Sequence, residues 1–320
     1  MLSFLAPGSS TKVELNESML GGGQVAGLLR FQNNDLAEGR NLLGRMAIAI
    51  SESMNTQNRL GLTLNGQPGE NLFAPISLGN ATPSNFNTST ATMALTVADP
   101  TALQASSYTI SFTAGDAGSV TRHSDGKVFN FDGSALPPVT VASVFSAQGL
   151  GVTLSGAVNA GDQFVINSLQ GAAAELQALQ YSPTDLAAAN PVNAAMGATN
   201  GGSLQLASLK ATGPITQPAT GSPVTIAFTA GSPATYSATV PGPPVATIAT
   251  GNYVSGEKIA INGWEIALQG APKSGDTVTV GNATDSQYGD WYKRDTGNAS
   301  ALMALRDVPL FDNATVADGL

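Results

Sequence analysis

The feature that most constrains this fold is a long amphipathic pattern near the start of the chain. Between residues 24 and 58, apolar side chains recur every seven residues, at Leu29, Leu36, Leu43 and Ile50. That spacing places all four on one stripe of an α-helix. Turn signals follow at Asn65-Gly66 and Pro68-Gly69. The pattern therefore predicts one long helix over residues 24–58.

A helix of this length must pack along other helices to bury such a stripe. One segment near the end of the chain, Ala299–Arg306, has helical character, but it is short and soon reaches Pro309. We therefore expect the natural partner helices to lie outside this sequence, on both sides. We also expect Leu29, Leu36, Leu43 and Ile50 to hold a helical stem.

From about residue 78 the pattern changes to short β-branched or aromatic segments bounded by Gly, Asp, Asn and Pro. Short helices are predicted at Ala172–Leu179 and Asp185–Asn190, and a linker at Thr212–Pro223. The predicted strands are Lys12–Leu15, Thr92–Val97, Tyr108–Phe112, Lys127–Phe131, Val139–Val144, Val152–Leu154, Gln163–Ile166, Val224–Thr229, Tyr236–Val240, Lys258–Ile261, Trp264–Leu268 and Thr277–Val280.

The β-rich region contains an internal repeat. Thr109–Gly115 recurs as Thr225–Gly231, and Leu154–Asp162 recurs as Leu268–Asp276, in the same order and at nearly the same spacing. Two related β-domains are therefore predicted, with Gly161 and Gly275 in the same kind of turn. Each Gly-Asp pair suits a turn that feeds a strand.

These patterns together predict a multidomain α+β protein. Residues 1–78 and 285–320 form a long-helix stem built from both chain ends. Residues 79–208 form a first β-domain with short helices, and residues 209–284 form a second. Both β-domains are expected to be small, related and mainly antiparallel.

Composition excludes several classes of function. The net charge is -9, so the chain has no electrostatic reason to bind nucleic acid or an anionic membrane surface. Because it has no cysteine, it can form neither a disulfide nor a thiolate metal site. No apolar run is long enough for a transmembrane helix, and the start lacks the basic region of a cleaved signal peptide.

Candidate sites have simpler structural explanations. Gly21–Ala26 matches G-x-G-x-x-A but leads into a helix too long for a dinucleotide-binding unit. His123, the only histidine, falls in a predicted hairpin beside the turn signal Asp125-Gly126. Trp264 is predicted to be a buried core residue, and residues 285–295 are predicted to form a linker. We predict no catalytic residue, cofactor or metal, although a Ser-His-Asp triad or a carboxylate pair is defined by geometry and stays open.

Motifs at both flanks and in the middle resemble the flagellar hook-associated protein 1 family. They are Gly22-Gly23, Gly27–Leu29, Leu42–Arg45, Asn55, Gly61, Leu64, Gly66, Gly69, Phe73, Ala187–Pro191, Asn200–Gly202 and Asp295–Arg306. The residues Lys293–Gly297 depart from the family's pattern at the start of the last motif.

The resemblance implies a structural subunit of the bacterial flagellum at the junction of hook and filament, and not an enzyme. It implies a ring in the full-length protein, contacts with the hook protein and a second hook-associated junction protein, and an extracellular location reached by type III export without a cleaved signal. It implies that the protein uses no cofactor. If the terminal helices are missing from this chain, we expect the chain to be a monomer. An alternative interpretation is a surface-exposed adhesive or carbohydrate-binding β-module.

Overall fold

The computed structural model describes residues 3–5, 12–14, 22–179, 182–309 and 315. It is an α+β structure with a long N-terminal helix followed by several antiparallel sheets. In chain order the helices and strands are β1 Ser3–Leu5, β2 Lys12–Glu14, α1 Gln24–Arg30, α2 Leu36–Arg59, β3 Thr82–Pro83, β4 Thr92–Val97, β5 Tyr108–Phe112, β6 Ala117–Arg122, β7 Val128–Asp132, α3 Val141–Ser146, β8 Leu150–Ser155, β9 Gln163–Ile166, α4 Leu169–Ala172, β10 Val192–Met196, β11 Gln205–Ala211, β12 Val224–Thr229, β13 Ala234–Val240, β14 Ala246–Tyr253, β15 Lys258–Ile261, β16 Trp264–Gln269, β17 Thr277–Asn282 and α5 Gly297–Ala304.

The predicted long helix is confirmed. It begins at Gln24, after Gly23 with φ of 94°, and ends at Arg59. A π-helical turn, Phe31–Asp35, joins α1 to α2. At the other end of the chain α5 has only eight residues. A stem built from both chain ends therefore stays a prediction.

The chain forms two compact units. The first contains the chain up to Ile50 together with Ile76–Leu176, and the second contains Ser51–Pro75 with Gln177–Val308. Helix α2 supplies its first part to one unit and its last part to the other. The predicted division into a stem and two β-domains stays a prediction.

The first unit has a five-stranded sheet in the order β3-β9-β5-β6-β7 and a two-stranded sheet, β4-β8. Its core is aromatic: Tyr108 packs edge-to-face on Phe145 at 5.2 Å between ring centroids, and Phe112 packs on Phe164 at 6.0 Å. Helix α2 adds Ile48, which is fully buried in this core. The hydrophobic effect of these side chains holds helix and sheets together.

The second unit has a five-stranded sheet in the order β10-β17-β12-β13-β14 and a three-stranded sheet, β11-β16-β15. Trp264 is fully buried between them, and its indole N–H donates to the carbonyl of Gln217 at 2.6 Å. The prediction of Trp264 as a core residue is confirmed. Strand β10 and the first four residues of β11 fall within predicted domain 79–208, but these strands pair with β17 and β16 of the second unit.

The internal repeat is confirmed by strand order and by turn geometry. The two five-stranded sheets have the same order of corresponding strands. Gly161 and Gly275 have φ values of 91° and 93°, in the left-handed region that favours glycine. The Gly161 N–H donates to the Phe112 carbonyl, and the Gly275 N–H donates to the Phe228 carbonyl. Phe112 and Phe228 occupy equivalent positions in the repeat. Both copies therefore form the same turn.

The aspartate of each turn ties a distant loop to the sheet. The Asp162 carboxylate is buried and accepts N–H groups of Asn159 at 2.8 Å and Thr88 at 2.9 Å. The buried Asp276 carboxylate accepts the Lys273 N–H at 2.8 Å, and it also accepts the Gly201 N–H at 2.8 Å. These backbone donors hold the pKa of both carboxyl groups below the usual value, because they stabilise the charged form.

Asp276→Asn is expected to lower the melting temperature at pH 7 by about 5 °C and to flatten its acid dependence. Because the native pKa of Asp276 is depressed, its stabilisation is fully present above the unfolded pKa of about 4 and is lost as pH falls through the native pKa. Melting curves between pH 7 and pH 3 measure this change. Asp116→Asn, at an exposed carboxylate, is the control. An unchanged acid dependence in Asp276→Asn would contradict the prediction.

Three predicted elements differ from the structure. Val139–Val144, predicted as a strand, contains the start of helix α3, because Thr140 caps it by accepting the Ser143 N–H at 3.1 Å and Phe145 enters the core. The predicted helix at 172–179 ends at Glu175, and the chain then pairs with the backbone of Leu72 and Ala74.

Residues 185–190, also predicted as a helix, are mostly extended. Only the short 3-10 turn Pro183–Asp185 is helical, and Ala189 instead pairs with Leu62. Six strands had no prediction: β1, β3, β6, β10, β11 and β14. Strands β1 and β3 have only three and two residues, too few for a pattern. The other four are rich in Ala, Gly, Ser, Thr and Asn, which give weak strand signals, and pairing with neighbouring strands defines them. The last part of the predicted strand at 12–15, Leu15, lies outside the described residues.

Candidate assembly surface

The apolar ridge, defined as Leu29, Leu36, Leu43 and Ile50, is only partly covered by the rest of the chain. Leu43 is 59% exposed, and the other three are partly buried. Further exposed apolar side chains on this helix are Val25, Leu28, Phe31 and Leu42. An exposed apolar surface of this kind marks a protein contact site more often than an isolated apolar residue does.

The opposite face of the helix is already buried in the first unit. Asn41 is 4% exposed, and Ile48 and Ala49 are fully buried. Gly44 lies so close to the backbone of Leu169 that a Cβ atom on Gly44 would collide with the Leu169 carbonyl oxygen. The glycine of Leu42-Leu-Gly-Arg45 therefore permits this packing.

The C-terminal end of the helix carries an asparagine clamp, defined as Asn55, Asn58 and Asn298. The Asn55 side chain accepts the N–H groups of Leu72 at 2.8 Å and Phe73 at 2.9 Å, and donates to the Phe73 carbonyl at 3.0 Å. One side chain thus pairs three backbone groups of Leu72 and Phe73. The loop after the helix is held against it in this way.

Asn58 and Asn298 join this loop to later parts of the second unit. The Asn58 amide donates to the Glu70 carbonyl at 2.7 Å, and its oxygen accepts the Ala187 N–H at 3.1 Å. Asn298 donates to the Ala187 carbonyl at 2.6 Å, and it accepts from the Gln57 side chain at 2.7 Å. Both asparagines are essentially fully buried, where unpaired polar groups would be costly.

Two glycines make room for the clamp. A Cβ atom at Gly61 would collide with the Asn298 side chain, and one at Gly69 would collide with the Asn58 carbonyl. Three of the motifs on which the family resemblance rests, near residues 55–73, 187–191 and 295–306, therefore meet in the second unit. Asn58 was not predicted as a site residue, although asparagine is disfavoured inside a helix and its presence there is a sequence signal.

His123, the candidate catalytic histidine, has a hydroxyl partner in the first unit. The Nε2 of His123 lies 2.8 Å from the Thr109 hydroxyl, and burial lowers its pKa. Within the described residues, no group of three His, Cys, Asp or Glu side chains could hold a metal ion. A search of the same residues finds no helix able to span a membrane.

A polar cleft of about 1020 Å³ lies in the first unit, between the helix and the loops of its sheets. Its lining is mostly side-chain amides and hydroxyls: Gln32, Asn34, Asn41, Ser106, Ser107, Ser124, Asn167 and Gln170. Glu38 is the one carboxylate among the lining residues. The cleft therefore lacks the carboxylate pair on which glycoside hydrolysis depends.

The chain matches two family models. Residues 2–73 match the flagellar hook-associated protein FlgK helical domain, and residues 82–168 match the flagellar hook-associated protein 1, D2-like domain. The second match corresponds to the β-strands of the first unit, and the first match contains the apolar ridge.

Similar proteins with known names include flagellar hook-associated protein 1 of Escherichia coli, 30% identical over 58% of this chain and 33% of that protein. The protein of the same name from Salmonella typhimurium is 30% identical over 56% of this chain and 31% of its own length. The chain thus aligns with about a third of the length of these relatives.

A solved structure extends the similarity over almost the whole chain. The flagellar hook junction protein FlgK from Burkholderia pseudomallei superposes with a TM-score of 0.75 and 27% identity, covering 98% of this chain and 60% of that one. The resemblance predicted from the motifs is confirmed. On the combined evidence of these matches, the chain belongs to the flagellar hook-associated protein 1 family.

Proposed function

We propose that this chain is part of a structural subunit that joins the flagellar hook to the filament. The observation that carries the proposal is the structural similarity to a flagellar hook junction protein along 98% of the chain. In this proposal the full-length protein self-associates into a ring and contacts the hook protein and a second hook-associated junction protein. The family is one of structural, non-enzymatic components of the extracellular flagellum.

The apolar ridge supplies the stem contact in this proposal. One face of α2 is already buried in the first unit, and Leu43 on the other face is 59% exposed. Full burial of a leucine or isoleucine side chain contributes about 1.5–3 kcal/mol. Packing of further helices along Leu29, Leu36, Leu43 and Ile50 would therefore stabilise an assembled stem substantially.

The asparagine clamp supports a stem that draws on both ends of the chain. Asn298 lies in the first turn of helix α5 and accepts a hydrogen bond from Gln57 near the end of α2, although the two residues are 241 positions apart. Buried, fully paired hydrogen bonds of this kind fix one geometry. We infer that the clamp sets the direction in which the chain leaves α5.

Leu43→Glu in the full-length gene is expected to abolish motility and filament attachment in a strain that lacks that gene. Glutamate at this position would place a carboxylate in an apolar helix contact, where an unpaired charge is strongly disfavoured. Swimming-zone diameter in soft agar and the fraction of cells with attached filaments are the measurements. We expect both to fall to the level of the strain without the gene.

The matched control is Thr56→Glu, which introduces the same side chain at an exposed position of the same helix. Thirteen residues separate the two positions, which places them about 140° apart around the helix. Thr56→Glu should keep motility. If Leu43→Glu supports motility equally well while the protein is secreted at normal levels, the ridge is not the stem contact.

A further inference from the structure

The polar cleft of the first unit has the size of a ligand site and an unusual helical turn in its wall. Its volume of about 1020 Å³ matches the upper end of known ligand cavities, about 300–1,000 Å³. The π-helical turn Phe31–Asp35 supplies Gln32 and Asn34 to the lining. Turns of this type are rare and are found frequently at functional sites.

The floor of the cleft, defined as its buried lining residues Asn41, Ser106 and Ser107, contains an acceptor without a partner. The Asn41 side chain is 4% exposed, and its Oδ1 makes no hydrogen bond within the described part of the chain. Its Nδ2 donates to the Ser107 hydroxyl at 3.3 Å. An unpaired buried acceptor is unfavourable, because most buried polar groups have a partner. A ligand that donates a hydrogen bond to Asn41 would remove this cost.

Ser107 places a donor beside that acceptor. Its hydroxyl oxygen accepts an N–H of Asn41 and, at 3.1 Å, an N–H of Gln170. Neither contact uses the hydroxyl proton, so Ser107 can still donate it. A ligand hydroxyl group matches both side chains, because a hydroxyl donates its own proton and accepts another at the same oxygen.

The rest of the lining favours a neutral ligand with several hydroxyl groups. Most of its polar side chains are amides and hydroxyls, and its two charged side chains, Glu38 and Arg40, have opposite charges. The net charge of -9 disfavours an anionic ligand. Among the described lining residues none is Phe, Tyr or Trp, the side chains that commonly line sites for apolar ligands. A neutral saccharide is the ligand class that fits these properties.

A peptide segment fits less well, as the chain's own contacts show. The Asn87 side chain donates to the Gln163 carbonyl at 2.9 Å and accepts the Gln163 N–H at 2.8 Å. Asn200 pairs with the backbone of Thr277 in the same way. This mode of backbone binding uses both ends of the amide. At Asn41 the Nδ2 is already engaged by Ser107, so only the acceptor is available.

We propose that this cleft binds a neutral oligosaccharide, with one sugar hydroxyl bonded to both Asn41 and Ser107. Hydrogen bonds to the sugar replace hydrogen bonds to water, so each contributes little, and the expected Kd is on the order of 1 mM. The proposal is independent of the proposed function, because no lining residue belongs to the motifs of the family resemblance. Motility assays therefore leave it unaffected.

An array of neutral and sialylated oligosaccharides tests the proposal. The chain is biotinylated and assembled on fluorescent streptavidin, because several linked copies make weak binding detectable. We expect binding to a subset of the neutral glycans, and the best of these is then titrated into the free chain and followed by NMR. No binding on the array, or binding to sialylated glycans alone, would overturn the proposal.

A variant that narrows the cleft locates the binding. Ser124 is an exposed lining residue, and Ser124→Trp should weaken binding of the best neutral glycan at least about tenfold, because the indole occupies part of the cavity. The matched control is Asn130→Trp, at an exposed position of β7 outside the lining, which should keep the natural affinity. Melting curves check that both variants fold. Equal affinities of the two variants would place the sugar elsewhere and overturn the proposal.

Monodeoxy analogues of the same glycan test the contact with the floor. Removing the hydroxyl that reaches Asn41 should weaken binding to the natural chain at least about tenfold, because the floor groups then lack their partner. Asn41→Ala should bind the intact glycan and this analogue within about threefold of each other, since the acceptor is gone. The variant leaves the Ser107 contact with Gln170 in place. If every analogue loses the same factor with Asn41→Ala as with the natural chain, Asn41 does not contact the sugar and the proposal fails.

Discussion

Trp264→Ala is expected to destabilise the second unit by about 3–5 kcal/mol. The side chain is fully buried in the core that contains Phe228 and Tyr253, so truncation leaves a large cavity among well-packed neighbours. It also removes the hydrogen bond to the Gln217 carbonyl. For a unit of this size the expected fall in melting temperature is about 10 °C, measurable by calorimetry.

The other tryptophan provides the control for this prediction. Trp291 is 56% exposed and belongs to the same unit, so Trp291→Ala should change the free energy of unfolding by less than about 0.5 kcal/mol. Tryptophan fluorescence of the Trp291→Ala variant then reports on Trp264 alone. A similar loss of stability in both variants would show that Trp264 is not the anchor of this core.

Asn58→Ala is expected to destabilise the same unit by about 3 kcal/mol and to loosen the segment around Ala187. The substitution leaves the Ala187 N–H and the Glu70 carbonyl without their partner, in a buried setting. Each buried unsatisfied group costs about 1–3 kcal/mol. Native-state hydrogen exchange should show faster exchange of the Ala187 amide in the variant.

Asn71→Ala is the comparison for Asn58→Ala. The Asn71 side chain accepts a hydrogen bond from Arg59 at the surface, where water can replace it. Its loss should leave both the unfolding free energy and the Ala187 exchange rate nearly unchanged. If Ala187 exchanges no faster in Asn58→Ala than in Asn71→Ala, the buried asparagine does not hold that segment.

Much of the local structure follows from the sequence by itself. The seven-residue spacing of leucines predicted the long helix, whose observed bounds are Gln24 and Arg59, because helical periodicity is a local property. Alternating segments such as Thr92–Val97 and Gln163–Ile166 were predicted with the observed bounds. The repeated Gly-Asp turns predicted two related sheets, because a positive φ at Gly161 and Gly275 is a backbone requirement that the residue type reveals.

The tertiary structure alone decided how these parts are used. It buried the face of α2 that contains Gly44 and Ile48 and left Leu43 exposed, which the apolar spacing could not distinguish from a buried stripe. It turned Val141–Ser146 into a helix through a cap and a core contact, and it made strands of the weakly patterned residues 192–196 and 246–253.

The asparagine clamp shows the reason most clearly. Gln57 and Asn298 hydrogen-bond across 241 positions, and Asn58 reaches Ala187 across 129. Local patterns record which conformation each segment prefers, and they predicted the helix and most strands. They do not show which backbone groups will be buried without a partner in their own segment. Only the folded chain determines which distant side chain forms the missing hydrogen bond.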